Sequence, residues 1–505
     1  MLRSLRGLVA GLLPNSNLRL NDQNYELIHP NGIPSPTSPS YPIKDDTLSK
    51  LTLSVTRFLF FFIPSPIQRR LQPAHFKPQR LYATSYLDGL RGVASLLVYF
   101  CHFTEENAHF MIPSYGLPVD DPVPSSFMQL PFFRVLYSGR PMVHIFFVIS
   151  GFVLSLKPLK LARVHNYANL QITLSSSVFR RGMRLFLPTT ASTFMVMIFI
   201  RMRWVGAEGL ETLSLQLMDW MDAVWTIGYS WDWDKLWWPK YDVHTWTIPI
   251  EMAQSMFLFV TLTGLARCKV WIRLLMFVVI MLYSLKCGRW AAFEFIGGAL
   301  VAEVGLIQQA RAERDSNKEI SVSDEEPSGS WKMTAIYGFW TANFIFAMWI
   351  AGWPNKNVLQ TPGLSRIATY TMEPYWSQKP QEQQAFCWFA LGAMQVVFAC
   401  QQLPLLQKFF TSGPAQYLGN ISYALYLMHG PFLDVFAHRW MPYVWWAVGG
   451  LEDSGMWSRT FAWFCGILGL SIPIFWAADI FWRAVDIPSV EFAKWLEGKC
   501  IVKED

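Results

Sequence analysis

Residues 87–103 read LDGLRGVASLLVYFCHF, an otherwise apolar helical stretch in which Arg91 and His102 sit eleven positions apart. Eleven steps of about 100° give about 1100°, three turns plus about 20°, so both side chains fall on one helix face. At about 1.5 Å per residue they lie about 16 Å apart along the axis, half the depth of a bilayer core. Arg91 then sits at a membrane boundary while His102 points inward near mid-depth. An ionisable group at that depth is costly and marks a functional site, unless it is a satisfied side chain packed against the next helix. Spacing alone leaves those two readings even. Histidine is also the side chain best matched to proton transfer near neutral pH.

The rest of the chain agrees with a membrane setting. Of 505 residues, 52% are hydrophobic and only 15% charged, with 24 Trp and 38 Phe and a mean hydropathy of +0.22. Those values indicate an all-α, multi-spanning membrane bundle rather than a soluble domain. The net charge of +6 is spread over loops and forms no nucleic-acid-binding patch. Seven scattered cysteines contain no CxxC pair, so neither a disulfide framework nor a metal site is signalled. No internal repeat is visible.

Ten spans are expected, over 89–104, 141–157, 185–204, 245–266, 271–287, 290–307, 332–353, 385–403, 417–438 and 457–481. Phe58–Ile63, followed by Pro64 and Pro66, is too short to span and reads as an interfacial helix. The first twenty residues make a poor signal peptide and only a weak mitochondrial presequence. Ten basic residues precede the first span, and Lys157, Lys160, Arg163, Arg180, Arg181 and Arg184 join the second to the third. The third-to-fourth loop is net acidic, so charge alternates as it does with both termini cytoplasmic. The organisation expected is a cytoplasmic tail (1–85), a transmembrane domain (86–482) and a cytoplasmic tail (483–505). The polar 308–331 segment reads as a cytoplasmic connector, and the C-terminal piece as an interfacial helix without catalytic signal.

Six motifs occur in order: 87–103 as quoted, HIFFVISGFVL at 144–154, RRGMRLFLP at 180–188, HTWTIPIEM at 244–252, FEFIGGALVAE at 293–303, and LGNISYALYLMHGP at 418–431. In this order and over roughly 86–482 the chain resembles the acyltransferase-3 family of membrane O-acyltransferases, in the style of its fungal members. The resemblance implies ten membrane helices and transfer of an acyl group, acetyl being the expected one, from acyl-coenzyme A to a hydroxyl. Acyl-coenzyme A would be a co-substrate, with no permanently bound cofactor and no metal. A small hydroxylated acceptor, for instance a secondary metabolite, and an endoplasmic-reticulum membrane are expected by analogy. Acylation of a glycan or lipid is the alternative, and a transporter the rival class.

Under that resemblance His102 is the base that deprotonates the acceptor hydroxyl. Arg91 suits either a coenzyme A phosphate or the region of the thioester carbonyl, against a null of interface anchoring. Arg180, Arg181 and Arg184 share a helix face and form a clamp for coenzyme A phosphates, or else only set topology. Glu251 belongs to the family's aromatic–polar–Glu motif; it could orient an imidazole, bind the acceptor or tie helices together. His244, seven residues earlier, shares its face, with a kink expected at Pro249 between them. Ser150 and Gly151 read as close helix packing, while Tyr423, Tyr426 and His429 form a polar stripe of packing or cavity-lining residues. The tryptophans between Trp220 and Trp246 read as an interfacial belt, with acceptor entry the sharper alternative.

Overall fold

The computed structural model describes residues 58–73, 80–117, 124–229, 231, 238–319, 330–377 and 381–502. The readings made for residues 1–57, including the leader and most of the basic N-terminal tail, lie outside them, as do Trp233 and Trp237. Among the described residues the secondary structure is helical, and every one of the ten expected spans falls on a helix. They are α1 (Ser85–Asn107), α2 (Gly139–Arg163), α3 (Tyr167–Arg201), α4 (Thr247–Leu265), α5 (Val270–Lys286), α6 (Trp290–Glu319), α7 (Ser330–Ala351), α8 (Phe386–Gln402), α9 (Gly413–Ala447) and α10 (Met456–Phe481). By length and apolarity seven candidate spans are found, α1, α5 and α9 being the helices without one. The difference from ten has a physical source. α5 is only 17 residues long, and α1 and α9 carry the polar residues that face one another at the centre of the bundle.

Two close crossings hold the bundle. α1 packs along α9, and α2 along α6. Each crossing depends on glycine: a Cβ on Gly92 would lie 2.2 Å from Gly419 N, and one on Gly151 would lie 2.1 Å from Phe295 O. Small residues at such points let backbones meet, which is how helices associate where lipid is the solvent. The crossings organise two apolar clusters, one around α2, α6 and α8, the other around α9 and α10. The polar cavities lie between these clusters.

Several local expectations are corrected. Pro249 does not kink a helix, because a 3-10 turn over Val243–Trp246 precedes α4 and places the proline in the first turn, where no N–H is required. α3 begins at Tyr167, far upstream of the expected 185, and α6 runs to Glu319, so the first part of the 308–331 connector is helix. The C-terminal segment is helical, as expected. After a π-helical turn over Trp482–Asp486, α10 continues into α11 (Ile487–Cys500), which packs against α3. The N-terminal helical pieces dock on the same end. Ser65 Oγ donates to Asp479 Oδ2 at 2.5 Å, and the backbone oxygens of Phe61 and Phe62 accept from Arg483 and Trp476 at 2.8 Å.

Candidate active site

Arg91 and His102 both face α9, as their eleven-residue spacing requires. Arg91 Nε donates to Ser422 Oγ at 2.9 Å and its Nη2 to Gly419 O at 3.0 Å. One end of the bundle holds a cavity of about 980 Å³ lined by Arg91, Ser150, Arg181, Arg184, Glu251 and Tyr426, among others. It shares Arg181 and Arg184 with a groove of about 1310 Å³ between α2, α3 and α11, which adds Lys157, Arg180 and Lys494. The basic residues therefore run from the groove into the cavity. That end of α3 and the early turns of α1 and α9 form the cationic half of the site.

The three clustered arginines divide their duties. Arg181 is committed to the protein, with Nη2 2.7 Å from Glu251 Oε1 and Nε donating to Ser255 Oγ at 2.8 Å. Arg180 reaches α11, its Nε 3.1 Å from Glu497 Oε2. Arg184 lines both the groove and the cavity. All three border one groove, as a shared helix face requires, with Arg181 engaged by Glu251 and Ser255. Glu251 also accepts from Ser150 Oγ at 3.0 Å. Its carboxylate meets side chains from α2 and α3, so it ties those helices to α4 and holds Arg181. Ser150, read as packing, turns out to line the cavity; Gly151 is indeed a packing glycine.

Beyond the cavity, His102 meets two further histidines. Ring centroids are 4.1 Å apart for His102 and His244, 4.6 Å for His244 and His429, and 5.3 Å for His102 and His429. They come from α1, from the 3-10 turn before α4, and from α9. Each ring has one nitrogen engaged. His244 Nδ1 lies 2.8 Å from Asp242 Oδ1, and His429 Nδ1 lies 3.1 Å from Leu425 O. His102 Nδ1 is 3.6 Å from Glu105 Oε2, and Asn355 Nδ2 donates to the other oxygen of Glu105 at 2.6 Å. Since Leu425 O can only accept, His429 carries its proton on Nδ1 and presents a lone pair at Nε2. The Nε2 atoms of His244 and His429 are buried without a hydrogen-bond partner.

Two features admit His244 to this place. Asp242 caps the 3-10 turn, accepting from the His244 backbone N–H at 3.0 Å as well as from its ring. Gly430, the residue after His429, lies against the imidazole so closely that a Cβ there would be 2.4 Å from Nδ1. Tyr426 Oη donates to His244 O and lies 2.6 Å from Thr247 Oγ1. Tyr423 instead donates to Leu185 O at 2.7 Å. Within the polar stripe, Tyr423 ties helices together and, with Tyr426, lines the first cavity, while His429 joins the imidazole cluster.

On the far side of the histidines, at the other end of α1, α3 and α9, lies a second cavity of about 1470 Å³. Glu106, Trp204, Lys240, Tyr241, His244, Asp434 and His438 are among its residues. Its rim lies outside the spans. There Lys240 beside Asp219 holds that carboxyl below its usual range, while burial pushes the Tyr241 hydroxyl up to about 12. Two cavities thus lie on opposite sides of a wall formed by Thr247, Tyr426 and His244, with His244 lining the second of them.

Not every buried ionisable motif residue belongs here. His144 pairs with Glu294, both fully buried among Trp290, Phe386 and Phe389. Glu303 is held by Arg273 at 2.8 Å and Arg163 at 3.1 Å. The acids of the 293–303 motif therefore fasten α6 to α2 and α5.

The model of a family described as an acyltransferase domain matches residues 84–479, which includes the cavity-lining segments up to the end of α10. Among characterised proteins, the chain is 29% identical over 462 residues to an O-acetyltransferase, PaAT-1, of Phomopsis amygdali, covering 84% of this chain and 86% of that one. It is 24% identical over 496 residues to Acyltransferase R4 of a Phoma species, covering 85% and 98%. It is 23% identical over 427 residues to Acyltransferase clz18 of Cochliobolus lunatus, covering 72% and 85%. No solved structure matches.

Proposed function

The chain belongs to this acyltransferase family, and we propose that it transfers an acetyl group from acetyl-coenzyme A to a hydroxyl of a small molecule. The PaAT-1 relative, an O-acetyltransferase, supports acetyl as the group moved and oxygen as its destination. The fungal source of all three relatives favours a secondary metabolite as acceptor. The observation that carries the reading is the run of cations from the groove into the cavity, whose wall at Thr247 and Tyr426 backs onto His244. Lys157, Arg180 and Lys494 suit the diphosphate and 3′-phosphate of coenzyme A at the mouth. Arg184 and Arg91 lie deeper, where they can hold phosphate.

The acceptor comes from the second cavity, so that hydroxyl and thioester meet at His102, His244 and His429. His102 accepts the hydroxyl proton as the oxygen attacks the thioester carbon, and the thiolate of coenzyme A leaves through the groove. His244, fixed by Asp242, abuts the His102 ring and positions it. In this reading the donor side and both termini are cytoplasmic, in an endomembrane, and Glu251 acts by holding Arg181.

The test uses membranes from cells expressing the chain, labelled acetyl-coenzyme A and an extract of candidate alcohols, with mass spectrometry of the product. His102→Ala should insert normally and lose about 10²–10⁴ in turnover, the usual weight of a general base. Undiminished turnover by a well-folded His102→Ala protein would refute the assignment.

A further inference from the structure

We propose that His102, His244 and His429 form a binding site for a divalent transition-metal ion, zinc being the probe that fits best. Three ring nitrogens, one from each residue, lie within 4.8 Å of one another. A tetrahedral zinc bound at about 2.0–2.1 Å needs ligand nitrogens about 3.4 Å apart. Side-chain adjustments of about 1 Å therefore convert the present cluster into a ligand set. Neutral imidazole is a preferred ligand of zinc, and no carboxylate or thiolate is required to complete three protein positions.

The surroundings argue for a ligand more strongly than proximity does. All three Nδ1 atoms face acceptors: the Asp242 carboxylate, the Leu425 carbonyl and the Glu105 carboxylate. This is the arrangement that fixes the tautomer of metal-binding histidines and turns Nε2 toward the ion. His244 and His429 are 8% and 0% exposed, and their Nε2 atoms have no partner. Asp242 Oδ2, also buried, has none either. A buried acceptor without a donor is unfavourable, and one cation relieves two imidazoles together. His102, 30% exposed at its side chain, leaves the cluster open on one side for an ion to enter. The sequence could not announce such a site, because its ligands come from three separate segments and share no spacing.

A lone pair that holds a metal cannot accept a proton. Zinc occupancy and base catalysis by His102 therefore exclude each other, and zinc should inhibit acyl transfer reversibly. This second consequence rests on the proposed function; the site itself does not.

The experiment measures metal alone on the full-length, untagged, detergent-purified chain stripped with chelator. Dialysis against micromolar zinc followed by elemental analysis should give one zinc per chain. His429→Gln and Asp242→Asn should each weaken binding about tenfold or more, while His165→Ala, at an exposed histidine remote in sequence, should not change it. Gel filtration and the apo melting temperature identify variants that fold. Absence of stoichiometric zinc, or zinc that survives both substitutions in folded protein, would overturn the proposal. Bound zinc without loss of turnover would count against His102 as base and leave the site standing.

Discussion

The contact between Gly430 and His244 gives the sharpest test of the imidazole cluster. An alanine Cβ at position 430 would lie 2.4 Å from Nδ1 and 2.6 Å from Cε1 of His244, where ordinary contact begins at 3.4 Å. The backbone of α9 is held against α1 by its glycine crossing, so the imidazole must retreat, by about 1 Å. A shift of that size strains the 2.8 Å bond to Asp242 and displaces the ring from His102. Misplacing a catalytic array by about 1 Å costs about 10²-fold in rate, or about 2.7 kcal/mol of barrier. Stability should fall modestly, since the about 0.5–1 kcal/mol that alanine gains in a helix interior is outweighed by about 1–3 kcal/mol of overpacking against a buried ring. The assay is steady-state acetyl transfer to the acceptor identified from extracts, with kcat and donor KM determined separately, alongside thermal unfolding. The expected result is a folded protein with kcat down about a hundredfold and donor KM unchanged, because the arginine-lined cavity is untouched. In a His244→Ala background the same alanine has no ring to push and should cost nothing further. A Gly430→Ala enzyme with kcat within about threefold of wild type, a barrier change of only about 0.7 kcal/mol, would refute the argument.

Two further outcomes concern the cationic half. Arg184→Gln should raise the acetyl-coenzyme A KM about tenfold, equivalent to about 1.4 kcal/mol of binding, with kcat little changed; an unmoved donor KM would send the phosphate site elsewhere in the groove. Glu251→Gln leaves the buried Arg181 without its carboxylate and should lower the melting temperature in detergent, whereas Glu251→Gln with Arg181→Met should recover part of the loss. A coupling of about 1–3 kcal/mol in that cycle is expected, and additive effects would show that the 2.7 Å pair contributes nothing.

What could be read in the sequence is what one helix carries by itself. The Arg91–His102 spacing, the apolar stretches and the packing role of Gly151 follow from local periodicity, and each has its counterpart in the fold. Asp242 and Gly430 did not stand out, because their importance lies in what they touch. Asp242 looked like one more acid in an acidic loop, yet it fixes the ring of His244. Gly430 had no distinguishing context until α9 was laid against the 3-10 turn. The pairing of Arg181 with Glu251 was hidden for the same reason: the two residues are seventy positions apart and meet only where α3 crosses α4. Even the span count blurred at α1 and α9, where the polar groups that build the site dilute the apolar signal that identifies a span.

The partition between the two cavities is thin. Thr247 and Tyr426 face one side, and His244, reached by the Tyr426 hydroxyl through its backbone carbonyl, faces the other. A wall one residue deep in a membrane protein must act as a seal as well as a reaction centre. Water filling both chambers would otherwise form a continuous wire for protons along the bundle. The buried tyrosine is thus a plug as much as a scaffold, and it constrains how substrates are handled. On the proposed reading only the acyl group has to pass the wall, while donor and acceptor each withdraw the way they came. The chain would then work as an airlock for two carbons without any helix having to rock between two faces.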